Sequence, residues 1–394
     1  MKIIRDPLHG NVELNEIELK LLDTPQMQRL RHIKQNGLCY LVYPAMNSTR
    51  FEHSLGVMHL AGKVAEHLGL VEEREELKLA GLLHDVGHCA FSHTSDHLLS
   101  RFGFDHEENS SRIILDTEIS DILNDCGISP KNISDLVTGK GSLSKIISSE
   151  IDVDKMDYLI RDSYYAGVAY GIIDVERIIH KLKIVDGEIV IGSGGLEAAE
   201  SLLINRNMMH QTIYRHHAKR IAESMFAGAV NSLLDNSKIT YEKFLTMDDI
   251  DLVYTLRNAG GYAGEIMERI DSRKLFKRVF VEKINKTLES FRDDISKNKK
   301  RIENKISDDA KIPPGYLLID MPSSELSEFK VLVEYDNELR KIDEVSELAK
   351  ALEKAELQRL TFCIYSDMKY KENIKNLDID DYIQYTQTML KNFY

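Results

Sequence analysis

Residues 79–93 read LAGLLHDVGHCAFSH. Leu79, Leu82 and Leu83 recur at helical spacing and run straight into His84-Asp85. Ionisable side chains at the end of a buried apolar face need a partner, because an unpaired buried polar group is costly. Imidazole nitrogen and carboxylate oxygen together suit Zn, Fe, Mn, Co or Ni. A lone His-Asp dipeptide reads equally well as a cap or a surface pair, so its surroundings decide. On one helix, His84 and His88 are four apart and share a face.

Working outward, Leu55, Met58, Ala61, Val64 and Leu68 form the stripe of an amphipathic helix, and Arg50-Phe51-Glu52-His53 opens it. Asp105-His106 follows the central stretch, and Asp152-Val153-Asp154-Lys155-Met156-Asp157-Tyr158 forms a further cluster. Asp154, Asp157, Tyr158 and Arg161 are spaced to share one helix face. Ser201 to Leu234 reads as one long helix, with Gly228 its only inner break. Residues 183–191, KIVDGEIVI, read as a hairpin around Asp186-Gly187. Strands are expected at 278–282, 316–320, 330–335 and 360–365, and a helix at 346–355. The charged run 293–305 reads as a solvated helix. The expected fold is mainly α, with a helical core over 1–235, a helical extension over 236–310 and a small α+β region over 311–394.

Composition narrows the function classes. Hydrophobic residues make up 43% and charged residues 29%, which excludes a disordered chain and a membrane bundle. Lys plus Arg number 51 against 64 Asp plus Glu, a net charge of −13, which argues against nucleic acid as the main partner. The four cysteines (Cys39, Cys89, Cys126, Cys363) have neither zinc-site nor disulfide-framework spacing. The start MKIIRDPLHG has no apolar core of a secretory signal, and no stretch approaches the roughly 20 apolar residues of a spanning helix. A cytoplasmic protein without membrane contact is the expectation.

Several longer motifs occur in order: Asp6-Pro7-Leu8-His9-Gly10, Asp23 to Arg31, Arg50 to Gly56, Gly81 to His93, Ile151 to Asp162, and Arg206-Asn207-Met208-Met209-His210. Together they resemble the HD-domain phosphohydrolase superfamily, and within it the deoxynucleoside triphosphate triphosphohydrolases, including the mammalian branch that carries a sterile-alpha-motif domain. The resemblance spans about residues 1–235 and implies an HD-domain helical core. It implies hydrolysis of dNTPs to deoxynucleoside and inorganic triphosphate by water attack at the α-phosphorus. It also implies a divalent metal (Mn, Fe, Zn, Co, Ni or Mg) on His53, His84, Asp85 and Asp154. Asp152 is the alternative ligand, unless it is a helix N-cap.

The same resemblance implies that His88, His93 and His106 handle protons and position the α-phosphate, with His106 beside the attacked phosphorus and Asp154 part of the reacting centre. Arg50, Lys155 and Arg206 would meet the triphosphate, Gln35, Tyr158, Asp162 and Tyr214 the sugar, and His210 the base. Arg215 and Asn36 depart from the pattern near the base, so no base preference carries over. Lys2, Asp23, Gln28 and Arg31 match a guanine-nucleotide effector pocket in a homo-oligomer, a dimer or tetramer. An intrachain Asp23–Arg31 salt bridge is the plainer alternative. The rival functions are a nucleotide or phosphomonoester phosphatase with the same metal site, and a non-catalytic nucleotide sensor.

Overall fold

A computed structural model describes residues 2–100, 102–103, 105–284, 292–322, 330–379 and 381–382. The chain begins with an antiparallel hairpin, β1 (Lys2–Asp6) and β2 (Gly10–Leu14), with Lys2 opposite Leu14. The sequence reading did not foresee it. Short helices α1 (Glu16–Leu22) and α2 (Pro25–Arg29) follow. Asn15 and Glu18 close α1 with a capping box, and Thr24 with Pro25 starts α2.

Two units emerge from the contacts. The first comprises residues 1–215, 241–252 and 326–353. Its centre is α3 (Arg50–His67), buried along nearly its whole length from Phe51 to Ala65. A helix buried all round belongs in the middle of a bundle. The unit's further helices include α4 (Arg74–Leu83), α5 (His93–Ser100), α6 (His106–Asp116), α7 (Glu118–Asp125), α8 (Pro130–Val137) and α9 (Val153–Ala166). α3 packs on α4 and α9, and α8 packs on α4 and α6. At Gly81 the α3 and α4 backbones nearly touch: a Cβ there would meet Val57 O at 3.1 Å and the Met58 Cα at 3.2 Å. The apolar faces of these helices merge into one core that includes Leu55, Met58, Val64, Leu79, Leu82, Leu83, Met156 and Leu159.

Helix α10 (Val175–Lys181) leads into the expected hairpin, β3 (Leu182–Val185) and β4 (Glu188–Ile191), turning at Asp186-Gly187. Helix α11 (Leu196–Met209) follows. The reading of Ser201–Leu234 as one helix is corrected here. α11 gives way to a π-helical turn at His210–Tyr214, His216 is extended (ψ 129°), and α12 (His217–Asp235) starts afresh. Arg215 N donates to His210 O, the wide ring of a π turn. Tyr43 and Asp162 hold Thr212 and Tyr214 by hydrogen bonds, so distant side chains, not a Gly or Pro, set this break.

The second unit comprises residues 216–240, 253–325 and 354–394. From residue 241 the chain passes between the two units, through α13 (Tyr241–Thr246), α14 (Asp249–Asn258), α15 (Gly261–Asp271), β5 (Lys277–Lys283), α16 (Arg292–Ala310), β6 (Leu317–Asp320), β7 (Leu332–Tyr335), β8 (Glu338–Lys341), α17 (Ile342–Val345), α18 (Glu347–Gln358), β9 (Thr361–Ser366) and α19 (Lys371–Lys375). The expected strands and helices of this region are present. In the second unit β9 lies between β5 and β6, antiparallel to both, with Ile302, Ile306, Ile319, Phe362 and Ile364 in its core. β7, expected as part of the 311–394 region, instead extends the β3–β4 hairpin of the first unit together with β8, a strand the sequence reading does not include. β7 runs parallel to β4, with Ile191 opposite Val333. Among the described residues no helix is long and apolar enough to cross a membrane.

Candidate metal centre and active site

The site is built inside the first unit from α3, the turn after α4, α6 and α9. Helix α3 contributes Arg50 and His53 from its first turn, both buried. Helix α4 stops at Leu83, and Val86 N and His88 N close tight turns onto Leu83 O and Asp85 O. His84 and His88 therefore do not share a helix face, which corrects the spacing argument. The turn brings them together another way: Asp85 Oδ1 lies 3.3 Å from His84 Nε2 and 3.2 Å from His88 Nε2.

Helix α9 supplies the second carboxylate. Asp152 is its N-cap, accepting from Lys155 N and Ser149 N, so the cap reading holds for that residue. Asp154 faces inward: its Oδ1 is 2.8 Å from His53 Nε2 and 3.8 Å from His84 Nε2. Ligand atoms of His53, His84 and Asp154 all lie within 4.8 Å of one another. Asp85 Oδ2 stands 3.6 Å from His53 Nε2.

Both histidines are already oriented as ligands. His84 Nδ1 donates to Gly81 O at 2.8 Å, and His53 Nδ1 donates to Asp157 Oδ2 at 2.8 Å. Each bond places an N–H on Nδ1 and turns Nε2 toward the centre. Among the described residues His84 Nε2 is buried with no hydrogen-bond partner. An orphaned imidazole nitrogen among two carboxylates and a second imidazole fits a divalent transition metal. Burial alone would disfavour the His53 imidazolium, but Asp154 and Asp157 more than offset it and push its pKa up to about 10. Burial likewise opposes ionisation of Asp85, yet Arg50 and then His84 and His88 hold its carboxyl well below the usual range.

Behind the centre lies a network that sequence reasoning did not assign. Arg161 donates through Nε and Nη2 to Asp157 (2.8 and 2.9 Å) and through Nη1 to Asp6 (2.9 Å). His9 Nε2 adds a 2.6 Å bond to Asp157. Asp157 and Arg161 are completely buried. Their spacing of four on α9 and the quoted Asp6-to-Gly10 motif were the available signals.

A second cluster adjoins the first. His88 and His106 stack with ring centroids 4.1 Å apart, and His93 lies edge-on to both. Asp96, which the sequence reading left out, accepts from His93 Nδ1 at 2.8 Å and lies 3.7 Å from His106 Nδ1. Among the described residues both ring nitrogens of His88 are buried without a hydrogen-bond partner. Burial, the Arg50 charge and His106 hold the His88 pKa well below the usual value, and burial lowers that of His106.

The other expected residues fall into groups. Arg50 donates to Asp85 Oδ2 (2.5 Å) and Ser92 Oγ (2.9 Å), and its Nη2 is buried without a partner among the described residues. Lys155 Nζ donates to Ser149 O (2.6 Å) and Asp152 (2.9 Å), so it is tied to its own helix entry. Tyr158 and Tyr214 meet edge to face at 6.2 Å, and His210 meets Tyr214 at 5.0 Å. Tyr214 OH and Asn36 Nδ2 both donate to Asp162 at 2.7 Å. Burial raises Asp162 to about 6 against those bonds and the nearby charges. Arg206 is buried, and its charge is felt at Tyr158. Gln35 is buried and its Oε1 has no hydrogen-bond partner among the described residues.

Of the effector set, Lys2 is exposed on β1 and Asp23 is the exposed C-cap of α1. Arg31 donates to Gln28 Oε1 (2.9 Å) and lies over the Phe51 ring at 3.6 Å, so it pairs with these rather than with Asp23.

The HD domain family model matches residues 50–162, and the model of the HD-associated region matches residues 173–392, more than half the chain. An uncharacterised protein of Methanocaldococcus jannaschii is 37% identical over 389 residues, 96% of this chain and 81% of that protein. The human deoxynucleoside triphosphate triphosphohydrolase SAMHD1 is 31% identical over 347 residues, which cover 71% of this chain but only 55% of that enzyme. The crystal structure of a hypothetical protein from Aquifex aeolicus superposes with a TM-score of 0.79 at 34% identity, covering 96% of this chain and all of that one. The chain belongs to the HD-domain family of metal-dependent phosphohydrolases, in its deoxynucleoside triphosphate triphosphohydrolase-like branch.

Proposed function

We propose that the protein hydrolyses deoxynucleoside triphosphates, in the cytoplasm, to deoxynucleoside and inorganic triphosphate, with water attacking the α-phosphorus. The observation that carries this reading is Asp85, whose one oxygen lies 3.3 Å from His84 Nε2 and 3.2 Å from His88 Nε2. A single carboxylate thus joins the metal-ligand set to a second cluster of imidazoles suited to proton transfer. A divalent metal on His53, His84, Asp85 and Asp154 supplies Lewis-acid polarisation of the phosphoryl group and activation of water.

The chain's own residues do the rest. Asp154 shares the reacting centre with the ligands. His106, stacked on neutral His88, stands beside the attacked phosphorus. His93, oriented by Asp96, gives a proton to the departing 5′-oxygen of the deoxynucleoside. Arg50, Arg206 and Lys155 offset the triphosphate charge, arginine through a bidentate fork and lysine as a point charge. Asp162, Tyr214, Tyr158 and Gln35 hold the sugar, and the two tyrosine rings are the groups that would exclude a 2′-hydroxyl. His210 stacks toward the base. Lys2, Asp23, Gln28 and Arg31 receive a guanine nucleotide as effector in a homo-oligomer.

The test is product identification by chromatography with each dNTP and GTP, across Mn, Mg, Fe, Co, Ni and Zn. Deoxynucleoside with intact triphosphate is expected, faster with GTP present. Monophosphate or orthophosphate would replace this reading by a phosphatase, and binding without turnover by a sensor.

A further inference from the structure

Residues 241–252 lie outside the HD-domain segment, yet they hold the turn that carries the site's histidines. Asp249, the first residue of α14, is 5% exposed. Its two carboxylate oxygens accept from two separate backbone N–H groups: Phe91 N to Oδ1 at 2.6 Å and Lys34 N to Oδ2 at 3.0 Å. Phe91 and its neighbour Ser92 are both left-handed, with φ of 61° and 50°. Two consecutive non-glycine residues in that region are strained and persist only where the surroundings over-determine them. The Phe91 side chain is buried, so packing requires a side chain where the backbone would prefer glycine.

The same contacts reach the reacting groups. Ser92 Oγ donates to Lys34 O (2.8 Å) and accepts from Arg50 Nε (2.9 Å). Lys34 is therefore held at its N–H by Asp249 and at its carbonyl by Ser92. His93 follows at once and begins α5. Arg29 grips the other end of the turn, donating through Nη2 to Val86 O (3.0 Å) and His88 O (2.8 Å), and through Nη1 to Met247 O (3.1 Å). The segment Met247–Asp249 is thus tied to both ends of the turn.

We propose that Asp249 is a positioning residue for the hydrolysis: its carboxylate pins the Phe91–Ser92 turn and thereby sets where His93 and Arg50 stand relative to His88 and Asp85. The proposal rests on the phosphohydrolase reading above. A carboxylate can accept from both N–H groups at once, whereas an amide offers one acceptor and turns its own N–H toward the other donor.

The experiment compares full-length, metal-loaded Asp249→Asn with the parent. The readouts are kcat and KM on the dNTP the parent turns over best, metal content, and backbone hydrogen exchange. A misplacement of about 1 Å costs roughly 100-fold in rate. The expected result is a kcat at least about tenfold lower, with KM little changed and metal content intact. Exchange should accelerate in residues 88–96 and not in α3. A folded variant with parental kcat overturns the proposal, whatever its thermal stability. If Asp249→Asn does not fold, Asp249→Glu keeps both acceptors on a longer arm. A smaller loss of kcat at unchanged KM is then expected, and parental kcat overturns the proposal. A parent that hydrolyses no phosphoester sinks the functional reading instead. The exchange comparison still decides the pinning in that case, and unchanged exchange at residues 88–96 overturns it.

Discussion

Replacing Gly56 with alanine tests whether the metal-binding face of α3 depends on the buried ion pair behind it. A Cβ at Gly56 would sit 1.9 Å from Asp157 Oδ1 and 2.6 Å from both Asp157 Cγ and Arg161 Nη2. Real Cβ contacts essentially never fall below 3.0 Å, so the carboxylate must retreat by about 1.1 Å. Neither partner can swing into solvent, because both are completely buried. Asp157 accepts from Arg161 twice, from His53 and from His9, and the retreat loosens all four bonds. Overpacking alone costs about 1–3 kcal/mol. Breaking a buried ion pair costs about 3–5 kcal/mol, and that term dominates. The intrinsic gain of alanine over glycine in a helix is about 0.5–1 kcal/mol, too small to offset it. At about 2–4 °C per kcal/mol, Tm should fall by roughly 6–20 °C. Metal affinity should fall about 10–100-fold, because His53 loses the carboxylate that orients it. Thermal melts with and without chelator, together with metal titration, measure both effects. Gly264→Ala in α15 is the control: among the described residues its Cβ meets only Leu256 O, at 3.7 Å, and Tm should hold or rise. A Gly56→Ala protein with parental Tm and parental metal affinity would refute the argument.

Three further outcomes follow from the site. His84→Ala should lose metal and turnover while far-UV circular dichroism stays near the parent's; full metal occupancy would remove His84 from the ligand set. Tyr214→Phe removes one of the donors to buried Asp162 and should cost about 1–3 kcal/mol in urea unfolding, with weaker discrimination between dNTP and NTP; unchanged stability and discrimination would show that the bond does neither. Burial, helped by the charges of His9 and Lys63, lowers His59 to about 4. The unfolded chain therefore binds a proton that the folded chain refuses between pH 6.5 and 4, so this contribution to stability is complete above 6.5 and is lost as pH falls through that window. His59→Gln should flatten the pH dependence of Tm there, and a slope equal to the parent's would exclude His59 as its source.

The parts of this fold legible in the sequence are those fixed by local periodicity. The stripe from Leu55 to Leu68 is a helix because its apolar residues must meet one core, and the Asp186-Gly187 hairpin forms because the left-handed turn needs those residues. Strand β8 was hidden because all four of its residues are exposed, although Asp336-Asn337, both at positive φ, marked the turn before it. The interruption at His210–His216 had no such local mark. It depends on Tyr43 and Asp162, which lie 169 and 52 residues from the groups they bind. The site divides the same way. Motifs carried His53, His84, Asp85 and Asp154, but the turn that brings His84 and His88 onto one carboxylate replaced the helix that spacing suggested. Asp249 reaches Phe91 across 158 residues and binds a backbone N–H, which every non-proline residue has. A side chain that acts on backbone leaves no complementary residue type to look for. The contacts that hold the strained turn of this candidate site are therefore the ones that sequence pattern is least able to reveal.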